Sequence, residues 1–352
     1  MNQTASPNVE ITIGDTRVPD ADFLSYTVDR DMFQPDMAQV VLSNQGDIYS
    51  GAAIGTPVRI QVGDLATPIY RGEVMGVEPS YTGGEKTRIV IRAMNKFHRL
   101  LRMIKSVTYQ DKTDEEILQQ VASAAGLKLE WQHEVEIRYK HVYQHNQTDM
   151  EFLRTRAARA GCHVWCVDST IYCKQPDLRA SAITTLDVDE SRADGALRSF
   201  RPRLNSTPAV KKVTVRSWDA QAKALIIGEA AVHGSAMGER TALSGSGSLG
   251  ENEMVIADQP VSSKEEANML AKAKLQDLSL GYITGEADCT GDPSHELGRV
   301  VEIRANGAKG SDTFNGKYYT MGLTHRQTAA ARARDGGYTT TLRLARDAQG
   351  LG

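Results

Sequence analysis

Alternation with a period of two dominates the first 95 residues and fixes the class of fold before composition enters. Apolar and polar side chains alternate over most of 9–13, 24–28, 39–42, 58–62, 70–77 and 87–93, as antiparallel strands with one buried and one solvated face require. Asn44-Gln45-Gly46-Asp47, Gly63-Asp64 and Thr82-Gly83-Gly84 stand between them, and these residue types tolerate the positive φ of tight turns. Short strands in this succession predict a small barrel-like β domain over 1–95.

Helix signals begin only after this region. Thr113 and Glu116 have the spacing of a capping box, with Ile117, Leu118, Val121 and Leu127 as an apolar stripe and Gly126 as the stop. Thr148 and Glu151 repeat the box ahead of Met150, Phe152 and Leu153, and Gly161 closes the segment. Its outer face is assigned to Arg154, Arg156 and Arg159. These patterns predict an α+β module over 96–180, with helices near 113–125 and 148–160.

From 181 to 347 strands return, at 213–218, 224–227, 283–289, 299–304, 318–325 and 338–343. One helix near 263–280 interrupts them, opened by a third capping box of Ser263 and Glu266 and carrying Ala267, Leu270, Ala271, Lys274 and Leu278 up to Gly281. The Gly/Ser-rich stretch 234–252 reads as a mobile loop, and 348–352 as a short tail. The fold class is therefore α+β, mainly β: two small barrel-like β domains flanking a mixed module.

Chemistry is sparse along this frame. The chain of 352 residues carries 41 Lys and Arg against 44 Asp and Glu, a net charge of -3 without long single-sign runs, which gives no basis for general polyanion binding. Basic groups gather at 198–203, at Lys211-Lys212 and at 326–334, but aromatics make up only 6% of the chain, so these read as charged faces and loop tips that touch partner subunits. Cys162, Cys166 and Cys173 fall in one segment, whose alternation and Asp168-Ser169-Thr170 turn predict a hairpin with Cys166 roughly opposite Cys173. Buried reduced cysteines are favoured there over zinc or a disulfide.

Gly245-Ser246-Gly247-Ser248-Leu249-Gly250 has the spacing G-x-G-x-x-G without the flanking strand and helix that phosphate binding needs. His133-Glu134 lacks the second histidine of a zinc-protease helix, since position 137 is Ile137. His141 and His145 sit in an extended segment, too far apart for one ion. Asp187, Asp189 and Glu190 lie in a polar linker and Asp292 precedes Pro293 in a turn, so these acidic groups, with Asp288, read as solvated carboxylates rather than a glycosidase pair. No catalytic, cofactor-binding or metal residue is assigned, and the chain is read as a non-enzyme.

Met1 to Glu10 lacks the basic start and apolar run of a leader, and no apolar run of about 18 residues would span a bilayer. Synthesis in the bacterial cytoplasm without a signal peptide is expected, with no membrane insertion by this chain.

The order of motifs resembles a known family. Tyr70-Arg71-Gly72-Glu73-Val74, then Lys96-Phe97-His98-Arg99-Leu100-Leu101, then Tyr109-Gln110-Asp111 resemble the N-terminal hub region of VgrG spike proteins and phage late control D proteins. Tyr143-Gln144 leading to Thr148-Asp149-Met150-Glu151-Phe152-Leu153 and Ala160-Gly161 is similar to the same family. So are Gly285-Glu286-Ala287 through Gly291-Asp292-Pro293, read as its G-x-P turn, and Leu297-Gly298-Arg299-Val300 with Asn315-Gly316-Lys317-Tyr318-Tyr319. The closing Gly337-Tyr338-Thr339-Thr340-Thr341-Leu342-Arg343-Leu344 is similar as well.

The resemblance implies a homotrimer whose two barrel-like domains per chain make a pseudo-six-fold ring, the baseplate hub of a contractile phage tail or phage-tail-like injection system. It implies a tail tube or tube-initiator protein, a spike and other baseplate components as partners, a lumen that passes or holds cargo, and incorporation into a virion or injection-system baseplate. No cofactor and no specific nucleic acid are implied. Because the chain stops soon after Arg343-Leu344-Ala345, the spike is expected on a separate chain; the Ala/Arg-rich segment 327–336 departs from the family pattern. Two other readings fit the β-rich pattern: a monomeric binding module or adhesin, and a spike-associated cell-wall hydrolase.

Overall fold

Strand pairing joins the first and third regions of the chain into one sheet. The computed structural model describes residues 7–65, 67–82, 87–188, 197–206, 209–245, 252–305, 313–329 and 337–350. The first region holds β1 (Val9–Ile13), β2 (Thr16–Arg17), β3 (Phe23–Asp31), β4 (Met37–Ser43), β5 (Pro57–Val62), β6 (Tyr70–Ser80) and β7 (Arg88–Met94). Each segment read from the alternation lies within or overlaps one of these strands. Their inward positions, among them Tyr26, Val28, Val40, Leu42, Ile60, Ile89 and Ile91, form one apolar core.

The middle region comprises β8 (Ile104–Thr113), α1 (Asp114–Ala124), β9 (Lys128–Gln132), β10 (Arg138–Thr148), α2 (Asp149–Arg159), β11 (His163–Val167) and β12 (Thr170–Lys174). Both capping boxes form as read: Thr113 and Thr148 accept from the Glu116 and Glu151 amides, and each glutamate reaches back to the cap amide. Gly126 and Gly161 follow the helices at φ 72° and 68°, a conformation that costs glycine little. A 3-10 turn, Lys96–Leu101, feeds Phe97 and Leu100 into the core of this module.

Two details of the module differ from expectation. Arg156 and Arg159 do not lie on an outer face: Arg156 pairs with Asp114 and is buried, and Arg159 pairs with Glu266 at 2.6 Å. Their carboxylate partners come from other elements, which helical spacing cannot show. In the β11–β12 hairpin Cys166 faces Ile171, and Cys173 faces Val164. The loop is two residues, Asp168-Ser169, with Asp168 at φ 55°, so the register is shifted from the one expected. Cys162, Cys166, Cys173 and Cys289 are all free and buried.

The third region holds β13 (Thr185–Asp187), β14 (Leu197–Leu204), β15 (Lys212–Asp219), β16 (Ala224–Ala231), β17 (Arg240–Thr241), α3 (Ala242–Gly245), β18 (Glu253–Ile256), α4 (Lys264–Leu280), β19 (Ile283–Thr290), β20 (Val300–Arg304), β21 (Gly316–Thr328), β22 (Tyr338–Arg346) and β23 (Ala348–Gln349). Asp187 ends a strand parallel to β20 rather than lying in a linker; Asp189 and Glu190 fall outside the described residues. At α4 the Ser263 side chain caps the Glu266 amide, but the Glu266 carboxylate turns to the Ser262 amide and hydroxyl, so the third box is not reciprocal. Of the stretch read as a mobile loop, β17 and α3 are ordered elements, and 246–251 lies outside the described residues. Most of 327–336 also lies outside them; Gln327 donates to the Pro7 carbonyl.

The large sheet runs β14-β19-β22-β21-β3-β4-β7-β6-β5-β1-β2, with β13 and β20 attached beside β21. Where two barrels were expected, the pairing among the described residues is an open path crossing from one β-rich region to the other. The thirteen residues of β21 make the crossing, because its first part pairs with β20 and its last part, from Gly322 to Thr328, pairs with β3. Beside this sheet, β15, β16 and β18 form a small sheet packed on α4.

Candidate functional site: the polar face of the joined sheet

Because side chains alternate across a strand, the registers place particular residues in rows on one face of the joined sheet. One row reads Ser199, Asp288, Thr341, Thr324, Asp29, Met37 and Met94 from β14 to β7. A second reads Arg201, Glu286, Arg343, Gly322 and Asp31. A third reads Thr290, Thr339, Arg326, Thr27, Gln39, Arg92 and Gly76. The opposite face carries Ala287, Leu342, Leu323, Val28, Val40 and Ile91, all buried in the two β cores.

The polar rows hold the four carboxylates of Asp29, Asp31, Glu286 and Asp288 and the four guanidinium groups of Arg92, Arg201, Arg326 and Arg343. Most of these charges are satisfied within the face. Asp288 accepts from Ser199 at 2.8 Å, Thr341 at 2.7 Å and Arg201 at 3.0 Å. Burial pushes its pKa up, but the Thr341 and Ser199 hydroxyls and the Arg201 charge more than offset this and hold it below the usual carboxylate range. Arg343 reaches Asp29 at 3.1 Å and Asp31 at 3.4 Å and donates to the Arg30 carbonyl. Burial keeps the Asp31 carboxyl above its ordinary value despite that guanidinium. At the far end Arg92 grips Glu78 at 2.6 Å and Gln39 at 3.2 Å, and the Arg92 hydrogen bond lowers the Glu78 pKa.

Gly322 makes the central contact possible. A Cβ there would lie 2.3 Å from Arg343 Nε, so the missing side chain is the space through which Arg343 crosses to β3. The β21–β22 register slips at the same place, between Thr320 and Gly322. Two open clefts of about 560 Å³ and about 570 Å³ lie on this face: one is lined by Arg201, Arg203, Glu286 and Arg343, the other by Asp29, Met37, Gln39, Arg92 and Arg326. Chemically the surface presents hydroxyls and mutually neutralised charges of both signs. It presents water with many hydrogen-bonding sites and little net field.

The residues weighed for catalysis are not gathered here. His141 and His145 are exposed positions on β10, and His133 bonds the backbone of Val135. Asp292 accepts from the Ser294 amide in the turn after β19, so Gly285 lies in the strand and the turn begins at Gly291. Of the G-x-G-x-x-G stretch only Gly245 is described. Among the described residues no group of three or more His, Cys, Asp or Glu is placed to hold a metal, and no helix is long and apolar enough to cross a membrane. Of the basic groups, Arg201 pairs with Glu286 and Asp288, and Lys212 with Glu229 and Glu253. Sequence reading missed Asp29, Asp31 and Arg343 as members of one surface; alternation of polar residues at 27, 29 and 31 and at 339, 341 and 343 is the signal that carried it.

Among solved structures the chain is similar to the tail protein from Neisseria meningitidis, at 13% identity and a TM-score of 0.73 over 97% of each chain. It is similar to the 43 kDa tail protein of prophage MuSo2 from Shewanella oneidensis, at 13% identity and a TM-score of 0.72 over 97% of this chain and 98% of that one. A third is an E. coli component of the type VI secretion system, described as structurally similar to the T4 bacteriophage tail proteins gp27 and gp5. It shares 12% identity and a TM-score of 0.62 over 96% of this chain and 76% of that one. At such identities the likeness is one of fold, and the chain has the fold of these tail proteins. No curated protein matches in sequence. Residues 4–329 match the family described as Alg8 N-terminal domain, and the chain belongs to that family.

Proposed function

We propose that this chain is a structural, non-enzymatic hub of a phage tail or phage-tail-like injection system, a homotrimer that adapts a hexameric tail tube to a trimeric spike. One observation carries the reading: a single sheet spans both β-rich regions, buries one face in two apolar cores, and turns its other, internally neutralised face to solvent. In the proposed ring that face is the wall of the lumen. A wall of paired charges is wetted but does not hold a passing chain of either sign strongly. The tail-protein fold over nearly the whole chain supports the same role. The late control D and VgrG hub resemblance belongs with this reading, as do the tube, spike and other baseplate proteins as partners.

The test is the solution mass of the purified chain by light scattering after size exclusion at micromolar concentration. A mass near three times 38.5 kDa is expected, with a further increase when tube or spike protein is added. A chain that stays monomeric alone and with both partners would sink the adaptor reading in favour of a monomeric binding module.

A further inference from the structure

Charge is unevenly distributed between two surfaces of this chain. Residues 1–65 hold nine acidic side chains against three arginines and no lysine; Asp29 and Asp31 pair with Arg343 on the polar face and Asp36 is buried against Arg30, which leaves the others around the outer strands. Residues 102–113 and 138–148, which make the β8–β10 ribbon and its approach, hold five cations against Asp111; Lys105 and Arg138 pair with Asp149 and Glu116, and the other three keep the ribbon basic. The unpaired charges lie where they face outward. Asp15, Asp20 and Asp64 are exposed around β1 and β2, and Arg102 and Lys140 are exposed on the ribbon, none with a partner among the described residues.

Each surface also exposes apolar side chains. Leu101, Met103, Ile104 and Tyr143 stand out at the ribbon, with Met103 and Ile104 64% and 65% exposed. Ile54 and Leu65 are exposed at the two ends of β5, beside β1. The two surfaces are thus of matching kind and opposite sign. Among the described residues the ribbon is a two-stranded sheet, and the short β2, beside β1, ends the large one. Such margins associate unless something covers them.

We propose that the β8–β10 ribbon of one copy docks on the β1–β2 margin of a second copy, a head-to-tail contact that closes into a ring. The proposal rests on the multi-copy reading above and specifies which surfaces meet. A contact steered by exposed charges weakens as salt rises, because screening lengths fall to about 8 Å at physiological ionic strength and lower still above it.

The test uses the full chain with charge reversals at exposed positions: Arg102→Glu with Lys140→Glu on the ribbon, Asp15→Lys with Asp20→Lys on the margin, and all four together. Circular dichroism and thermal melting confirm that each variant folds. Expected are loss of the assembled species in each pair variant at micromolar chain, its return in the fourfold variant, and dissociation of the wild type by salt. Pair variants that assemble like the wild type overturn the contact and leave the assembly reading standing, whereas a wild type that is monomeric throughout overturns that reading itself. A fourfold variant that stays dissociated also overturns the contact. So does a ribbon variant that loses binding to a DNA duplex with no change in assembly.

Discussion

Arg159 on α2 donates through Nη2 to the Glu266 carboxylate on α4 at 2.6 Å, joining two elements 107 residues apart. Both side chains are nearly excluded from water, at 11% and 3% exposure. The same guanidinium reaches Gln259 and the Pro260 carbonyl, and the same carboxylate accepts from Ser262. Removing one member leaves a buried charge without its counterion, at a cost of about 3–5 kcal/mol. Glu266→Gln and Arg159→Met are each expected to lower the unfolding free energy from urea titration by that order, and the combination to lose less than the two singles added. Additive losses would show that the residues act separately.

That contact also marks the limit of what is legible in the sequence. Thr113 with Glu116 and Thr148 with Glu151 are three residues apart, so local spacing fixes their geometry and the capping boxes appear as read. Arg156 and Arg159 have the periodicity of an exposed helix face, and only Asp114 and Glu266, supplied by other elements, take them inward. The joined sheet is hidden for the same reason. Each strand shows its alternation, but which strand it pairs with is a property of the whole chain; Thr324 bonds Asp29 across 295 residues.

Gly228 sits where β16 passes beneath α4. A Cβ at this position would lie 2.3 Å from the Ala267 carbonyl carbon and 2.4 Å from the Asn268 amide nitrogen. Helix backbone cannot swing aside as a side chain can, so Gly228→Ala must push α4 off the small sheet. A loss of about 1–3 kcal/mol is expected from overpacking, read by chemical unfolding, with faster amide exchange confined to α4 and the small sheet. Unchanged stability would mean that this helix is free to shift.

Arg346 is fully buried with no carboxylate in contact among the described residues, and its charge is met by carbonyl oxygens of Asn315 at 2.6 Å, Met237 at 2.8 Å and Gly350, with the Tyr318 ring 5.3 Å away. Three separate segments therefore close on one guanidinium. Arg346→Met keeps the length of the stem but leaves those carbonyls without a donor, at about 1–3 kcal/mol for each one that stays buried. Limited proteolysis is expected to cut first near the C-terminal end of the variant, before global unfolding. Cleavage kinetics equal to the wild type would show that the carbonyls find other donors.

Buried histidines make stability depend on pH, His325 and His163 most strongly. His325 lies against Tyr338 at 3.0 Å and Thr340 at 3.2 Å, and burial, assisted by the charges of Arg30 and His295, lowers its pKa from 6.5 to about 3. Burial likewise lowers His163 from 6.5 to about 4, with Asp277 opposing. Below 6.5 the unfolded chain takes up protons that the folded chain refuses. Their contribution is therefore whole above 6.5 and is lost as pH falls toward about 4 and then about 3. Asp36, raised by burial from 3.8 to about 6, acts in the opposite sense, since its folded form holds a proton that the unfolded chain has released in that range. The informative measurement is therefore a comparison of urea midpoints for the wild type and His325→Gln between about pH 7.5 and about pH 4.5. The wild type is expected to lose stability more steeply as pH falls. Parallel curves would show that His325 takes up its proton in the folded protein as readily as in the unfolded one.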